Sequence, residues 1–228
     1  MIDVADELGI PCYLFFASPA AFLGFMLHLP TLNTQLGKLT PEFDESETEL
    51  AIPSFSNPVP RKVLPSFFLK RNGDDGYSWF LRHARRYRET KGIVVNTFQE
   101  LEPFPLNSFS SSDIPPVHPV GPLLDHVGPA EWLSNRSQRE MITAWLDQQP
   151  TSSVVFLCFG SMGSLSVAQL REIALGLERT GLRGLMEGDG EVRERVKEMS
   201  EKSRMALMAD GSSNVCLEHL IEELMAEI

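Results

Sequence analysis

The stretch SSVVFLCFGSMGSLSVAQLREIALGLERTG, Ser152 to Gly181, decides the fold class. Val154 to Phe159 is a continuous apolar run of strand length, bounded by turn residues. Such a run belongs to a parallel strand covered on both faces. Gly160-Ser161 makes a tight turn. Beyond Ser166, Leu170, Ile173, Ala174 and Leu177 recur at helical spacing. Strand, turn and amphipathic helix in succession are the repeating unit of an α/β domain.

The turn sets backbone N–H groups and the Ser161 hydroxyl at the positive end of a helix dipole, an arrangement that suits a phosphate. Three named phosphate or nucleophile patterns fail here. The turn is not G-x-G-x-x-G. No Lys follows to make a P-loop, and Phe159 stands where the first Gly of a nucleophile elbow would be. Two readings stay open on the turn alone: an anion site, or a tight βα turn with no ligand.

Outward from this unit the alternation continues. DVADELG is a helix tail stopped by Gly9, IPCYLFFAS a buried strand, and PAAFLGFMLHLPTLNTQ a helix. Residues 38–76 form a polar, Pro-rich loop. DGYSWFLRHARRYRETK reads as a helix, GIVVNT as a strand, FQELEPFPLNSF as a short helix and PPVHPVGPLL as a strand. Residues 125–135 read as a linker, and SQREMITAWLDQQP as a helix. From Glu187 onward the strand pattern stops. DGEVRERVKEMSEKSRMALMA and SSNVCLEHLIEELMAEI are amphipathic helices, the second with Ser212 or Ser213 as its N-cap. The fold class is α/β with a parallel sheet. A chain that opens on a helix tail, with no strand before it, reads as having lost its front.

The 228 residues allow one large or two small domains, with ordinary apolar (43%) and charged (22%) content. A net charge of −11 argues against nucleic acid and anionic membrane as partners. The basic run RHARRYRETK, residues 82–91, reads as a solvated helix face. Cys12, Cys158 and Cys216 have no zinc or disulfide spacing, which points to reduced thiols in the cytoplasm and to no metal site. Cys12 and Cys158 lie in apolar runs and read as core. The acidic N-terminus is not a secretory signal, so the Asn135 sequon is expected to be unmodified. Residues 10–37 carry no charge, but Pro11, Pro19 and Pro30 interrupt them. They read as strand and helix, without membrane insertion.

Several segments together are more specific than the turn. MIDVADELGIPCYLFF, TKGIVVNTFQELE, VGPLL, WLDQQPTSSVVFLCFGSMGSLSVAQLREIALGLERTG and GLMEGDGEVRERVKEMSEKSR…GSS resemble the plant family-1 UDP-dependent glycosyltransferases. The likeness is strongest to members that glucosylate flavonoids, other phenolics or terpenoids. The resemblance implies a GT-B fold: two Rossmann-like domains, here incomplete, with parallel strands and C-terminal helices. It divides the chain into the rear of an acceptor domain (1–124), a linker and interdomain helix (125–151), the first strand–turn–helix of a donor domain (152–181), and closing helices (182–228) joined after a large internal deletion. It implies an inverting transfer of a hexose, glucose above all, from a UDP-sugar co-substrate to a hydroxyl of a small lipophilic metabolite, with no metal and no resident cofactor. By the same resemblance Gly160 and Ser161 meet a donor phosphate, while Phe22 and Phe80 line the acceptor pocket. Simple core packing is the alternative for both aromatic residues.

The chain departs from the family pattern in two places. The segment matching the catalytic His and its partner Asp would precede Met1. None of His28, His83, His118, His126 and His219 falls in the matching context, so no catalytic residue is assigned. The donor box, with its uracil-stacking Trp, is not found among Trp79, Trp132 and Trp145. Micromolar binding needs about 8 kcal/mol, whereas one neutral hydrogen bond contributes about 1 kcal/mol. The expectation is therefore a transferase by descent with little or no activity. The alternative is a non-catalytic small-molecule binder, or a partner of intact relatives. Strand 153–158 would pair with the N-terminal remnant, or stay exposed and promote self-association.

Overall fold

The computed structural model describes residues 1–36, 49–64, 76–110, 113–124, 136–150, 153–155, 157–160, 164–187 and 190–226. They divide into two compact units, Met1–Leu124 with Met199–Ile228, and Asp125–Glu198.

In the first unit, helix α1 (Ile2–Leu8) ends at Gly9, whose φ of 65° is the left-handed conformation glycine adopts without strain. Strand β1 (Tyr13–Phe16) leads to helix α2 (Ala20–Leu36). Within the stretch read as loop lies a short antiparallel pair, β2 (Glu49–Leu50) and β3 (Val59–Pro60). Two-residue strands carry too little pattern to stand out from a polar, Pro-rich sequence. Helix α3 (Gly76–Arg86), β4 (Gly92–Val95), α4 (Pro103–Asn107) and β5 (Val117–Pro119) follow. The main sheet is parallel in the order β1-β4-β5, with Tyr13 opposite Gly92 and Ile93 opposite Val117.

The central strand explains its own composition. Ile93 and Val95 are fully buried, and α2 supplies Leu23, Met26 and Leu32 to the same core. Gly92 has no side chain because Tyr13 crosses it: a Cβ there would sit 2.8 Å from the tyrosine ring. The chain closes with α7 (Gly190–Ala206), which leads back into this unit, and α8 (Ser212–Ala226).

The second unit contains α5 (Arg136–Asp147), α6 (Val167–Glu187) and the start of α7. Residues 153–155 and 157–160 are not a strand. Val154, Val155, Leu157 and Phe159 are exposed, as is Cys158, which the sequence had placed in a core. A parallel strand needs neighbours, and the described residues of this unit provide none. Every buried apolar side chain among the described residues belongs to the first unit. Helix α6 also continues through Gly181 to Glu187, past the expected stop. The following residues, LRGLME, are mostly good helix formers, and each interior glycine, Gly181 and Gly184 among them, costs only about 1 kcal/mol. The expected linker, 125–135, lies outside the described residues. Among the described residues no helix is long and apolar enough to cross a membrane.

Candidate functional site

Ligands of open α/β sheets bind beyond the carboxyl ends of the strands. In the first unit that edge is built by three of the segments singled out in the sequence. After β1, the chain turns through Ser18-Pro19 into α2. Pro19 offers no capping side chain; its carbonyl accepts from the N–H groups of Phe22 (3.0 Å) and Leu23 (3.1 Å). The two remaining donors of the first turn reach Glu102. Ala20 N–H donates to Oε2 at 2.9 Å and Ala21 N–H to Oε1 at 3.0 Å. A carboxylate there satisfies orphan donors and meets the positive end of the helix dipole. Ser54 donates to the Ala21 carbonyl at 2.9 Å, gripping the same turn from the β2–β3 loop.

After β4, Asn96 Oδ1 accepts from Leu123 N–H (2.8 Å) and the Thr97 carbonyl accepts from Gly121 N–H (2.7 Å). Ser213 donates to the Gly121 carbonyl, and Ser212 donates to Glu100 Oε2 at 2.9 Å. The serines expected to cap α8 thus direct their hydroxyls outward and fasten the helix to the sheet edge. The buried Gly121 carbonyl and the Glu100 carboxylate are the acceptors that draw them there.

The expected acceptor aromatics both lie in this unit. Phe22 is half-buried on α2, its ring 6.1 Å from Phe16 and stacked 5.9 Å from Phe25; Phe16 meets Tyr87 edge-on at 5.9 Å. Phe80, on α3, is half-buried against the same core. A separate cavity of about 290 Å³ lies beside α2, with Leu27, His28, Thr31, Arg88, Phe109 and Asp113 among its walls; neither Phe22 nor Phe80 lines it. Gly160, in the second unit, has φ 75° and open space around its Cα. Ser161 and His126 lie outside the described residues.

The basic run is not simply a solvated face. Arg86 pairs with Asp3 of α1 and with Glu89 (2.8 Å), which raises its pKa and lowers that of Asp3. Arg88 donates at 2.8 Å to both the carbonyl and Oδ2 of Asp113, and at 3.0 Å to the Leu27 carbonyl. Apart from Glu89, three residues on, these partners lie 25 to 83 residues away, beyond the reach of charge counting along the sequence. Nothing in TKGIVVNTFQELE itself marks Glu102 for this role, which depends on a helix about 80 residues upstream.

The described histidines have structural neighbours. His83 stacks on Trp79 at 6.1 Å. His118, on β5, is only 5% exposed, its Nε2 3.6 Å from Glu223 Oε2 of α8; Glu223 Oε1 lies 3.1 Å from His219 Nδ1. Burial lowers the His118 pKa below 6.5, with Glu223 opposing and His219 reinforcing the shift. Burial, followed by the Arg88 charge, lowers that of His28. Both imidazoles are therefore easier to protonate in the unfolded chain. Their stabilising share is present above the unfolded pKa of about 6.5 and is lost as pH falls through the folded values. The melting midpoint is expected to drop between pH 7.5 and 5.0, less steeply in His118→Gln. A variant that tracks the parent at every pH would remove His118 from this account.

Among the described residues no group of three His, Cys, Asp or Glu side chains is placed to hold a metal. No family model matches the sequence. UDP-glycosyltransferase 43 of Pueraria montana var. lobata is 53% identical over 186 residues, which cover 81% of this chain and 37% of that protein. The chain therefore spans well under half the length of this curated relative. Two crystal structures superpose over almost all of it. One is a UGT transferase from Siraitia grosvenorii in complex with UDP (TM-score 0.85, 32% identity, 99% of this chain, 76% of that one). The other is Medicago truncatula UGT71G1 complexed with UDP-glucose (TM-score 0.85, 30% identity, 98% and 73%).

Proposed function

Because the chain belongs to the plant UDP-dependent glycosyltransferases, with their GT-B architecture, we propose that its first unit is an acceptor-binding half that outlasts the transfer reaction. The intact reaction moves a hexose, glucose in this reading, from a UDP-sugar to a hydroxyl of a small lipophilic phenolic or terpenoid such as a flavonoid. The hydroxyl oxygen displaces UDP at the anomeric carbon and gives up its proton to a base. In this reading no histidine of the chain is assigned that role, because none falls in the family's matching context. The reading involves no metal and no resident cofactor, and it places the protein in the cytoplasm.

The observation that carries it is the packed core of the first unit, against the exposed apolar segment of the second. In the first unit, Phe22 of α2 and Phe80 of α3 pack against that core. In the second, Gly160 stands in open space, next to an apolar segment exposed along its described length. We place the join between donor-domain start and closing helices after Gly181, inside α6. What supports the join is the resemblance of residues 152–181 to the start of a donor domain and of the residues beyond them to the family's closing helices. Gly160 and Ser161 remain as the stub of the donor phosphate site, and the exposed segment favours self-association.

Melting the purified chain with excess UDP-glucose, and separately with a flavonol, tests this. A ligand that binds only the folded state raises the midpoint according to RT ln(1 + [L]/Kd). The flavonol is expected to raise it and UDP-glucose to leave it unchanged. A shift with UDP-glucose, or glucoside formed by the purified chain, would restore it to the active enzymes. A shift with neither ligand would leave the second reading, a partner of intact relatives, favoured by the unpaired apolar segment.

A further inference from the structure

We propose that Glu102 is a positioning residue for acceptor recognition, fixing the first turn of α2 and through it the placement of Phe22 beside Phe16 and Phe25. The proposal rests on the acceptor-binding reading above.

All four amide donors of the turn are accounted for, two by the Pro19 carbonyl and two by the Glu102 carboxylate. Ala20 is completely buried in the folded unit, and the half-buried Glu102 is the acceptor its amide finds there. Glu102 is 82 residues from Ala20 in the chain. It is therefore a tertiary tie from the residue just before α4 to the start of α2, not a local cap of α2. Phe22 is the next residue along. Farther on, Leu23, Met26 and Leu32 are held by the core without any help from Glu102. Loss of the carboxylate should therefore free the start of α2 and leave its body in place. Two residues before Glu102, Glu100 receives Ser212 of α8. The same turn thus sets the start of α2 with one carboxylate and fastens the closing helix with the other.

The test compares the parent chain with Glu102→Gln and Glu102→Ala. Quercetin binding is followed by quenching of tryptophan fluorescence, to which Trp79 beside Phe80 contributes. Melting and hydrogen exchange at Ala20 and Ala21 are measured on the same samples. Glu102→Ala is expected to weaken quercetin binding about tenfold or more and to speed exchange at those two amides, with a cooperative melt retained. Glu102→Gln keeps one carbonyl acceptor and should recover part of the affinity. Unchanged affinity in Glu102→Ala overturns the positioning role and leaves the acceptor reading standing. So does a loss that appears only as global unfolding and is not recovered by Gln. A parent chain that does not bind quercetin overturns both.

Discussion

Gly121→Ala is expected to destabilise the first unit by about 3 kcal/mol, the upper range for forcing a methyl into a packed site. A Cβ at this position would lie 2.6 Å from Asn96 Oδ1, 2.7 Å from Thr97 N and 2.8 Å from the Asn96 carbonyl carbon. Two of these three atoms are backbone, and the third is held by Leu123 N–H at 2.8 Å, so none can swing aside. The glycine cannot retreat either. Its N–H is tied to the Thr97 carbonyl at 2.7 Å, and its own carbonyl receives Ser213. Relief of the clash has to break one of these bonds, loosening the β4–β5 edge or the seat of α8. Urea unfolding followed by circular dichroism measures the loss. Gly176→Ala is the control, since a Cβ on that helical residue meets nothing within 4 Å. It should lose no stability and should gain up to about 1 kcal/mol from helix propensity. Equal midpoints for the two variants would mean that the edge is looser than its hydrogen bonds indicate.

The elements legible in the sequence were those whose cause is local. Gly9 ends α1 in the left-handed conformation its residue type favours, and the apolar runs around Phe16 and Ile93 became β1 and β4. The failures lie where the cause is distant. The run at Val154 has every local mark of a strand, yet a strand is stabilised by its neighbours, and here the described residues do not form one. Ser212 and Ser213 carry the chemistry of an N-cap, but Gly121 and Glu100 compete for their hydroxyls from more than 90 residues away. At the site, resemblance pointed to Phe22 and Phe80 as side chains. It could not show that the start of α2 is held by Glu102, because that tie exists only once β1, β4 and α2 are assembled.

The same distinction between residue type and surroundings sets the second large effect. Leu23 and Val155 are both aliphatic residues in apolar stretches. Leu23 is 0% exposed in the first unit's core, whereas Val155 is 40% exposed in the second unit. Leu23→Ala removes buried methyl groups and leaves a cavity that the fully buried Met26 and Leu32 on the same helix cannot collapse to fill. The expected cost is about 3 kcal/mol, within the range for a buried Leu→Ala change. Val155→Lys removes nothing from a core and should alter stability by less than about 0.5 kcal/mol. What it should change is association. A lysine within an exposed, strand-prone apolar segment opposes edge pairing, so sedimentation at high concentration should show less oligomer than in the parent. The pair of variants separates the two units by free energy. If Val155→Lys costs as much as Leu23→Ala, the segment is buried in a strand after all, and the second unit retains more of its fold than the exposed positions of Val154, Val155, Leu157 and Phe159 imply. If the costs differ as expected, the stability of the chain resides in the first unit, and the apolar run that first revealed the fold class adds little to it.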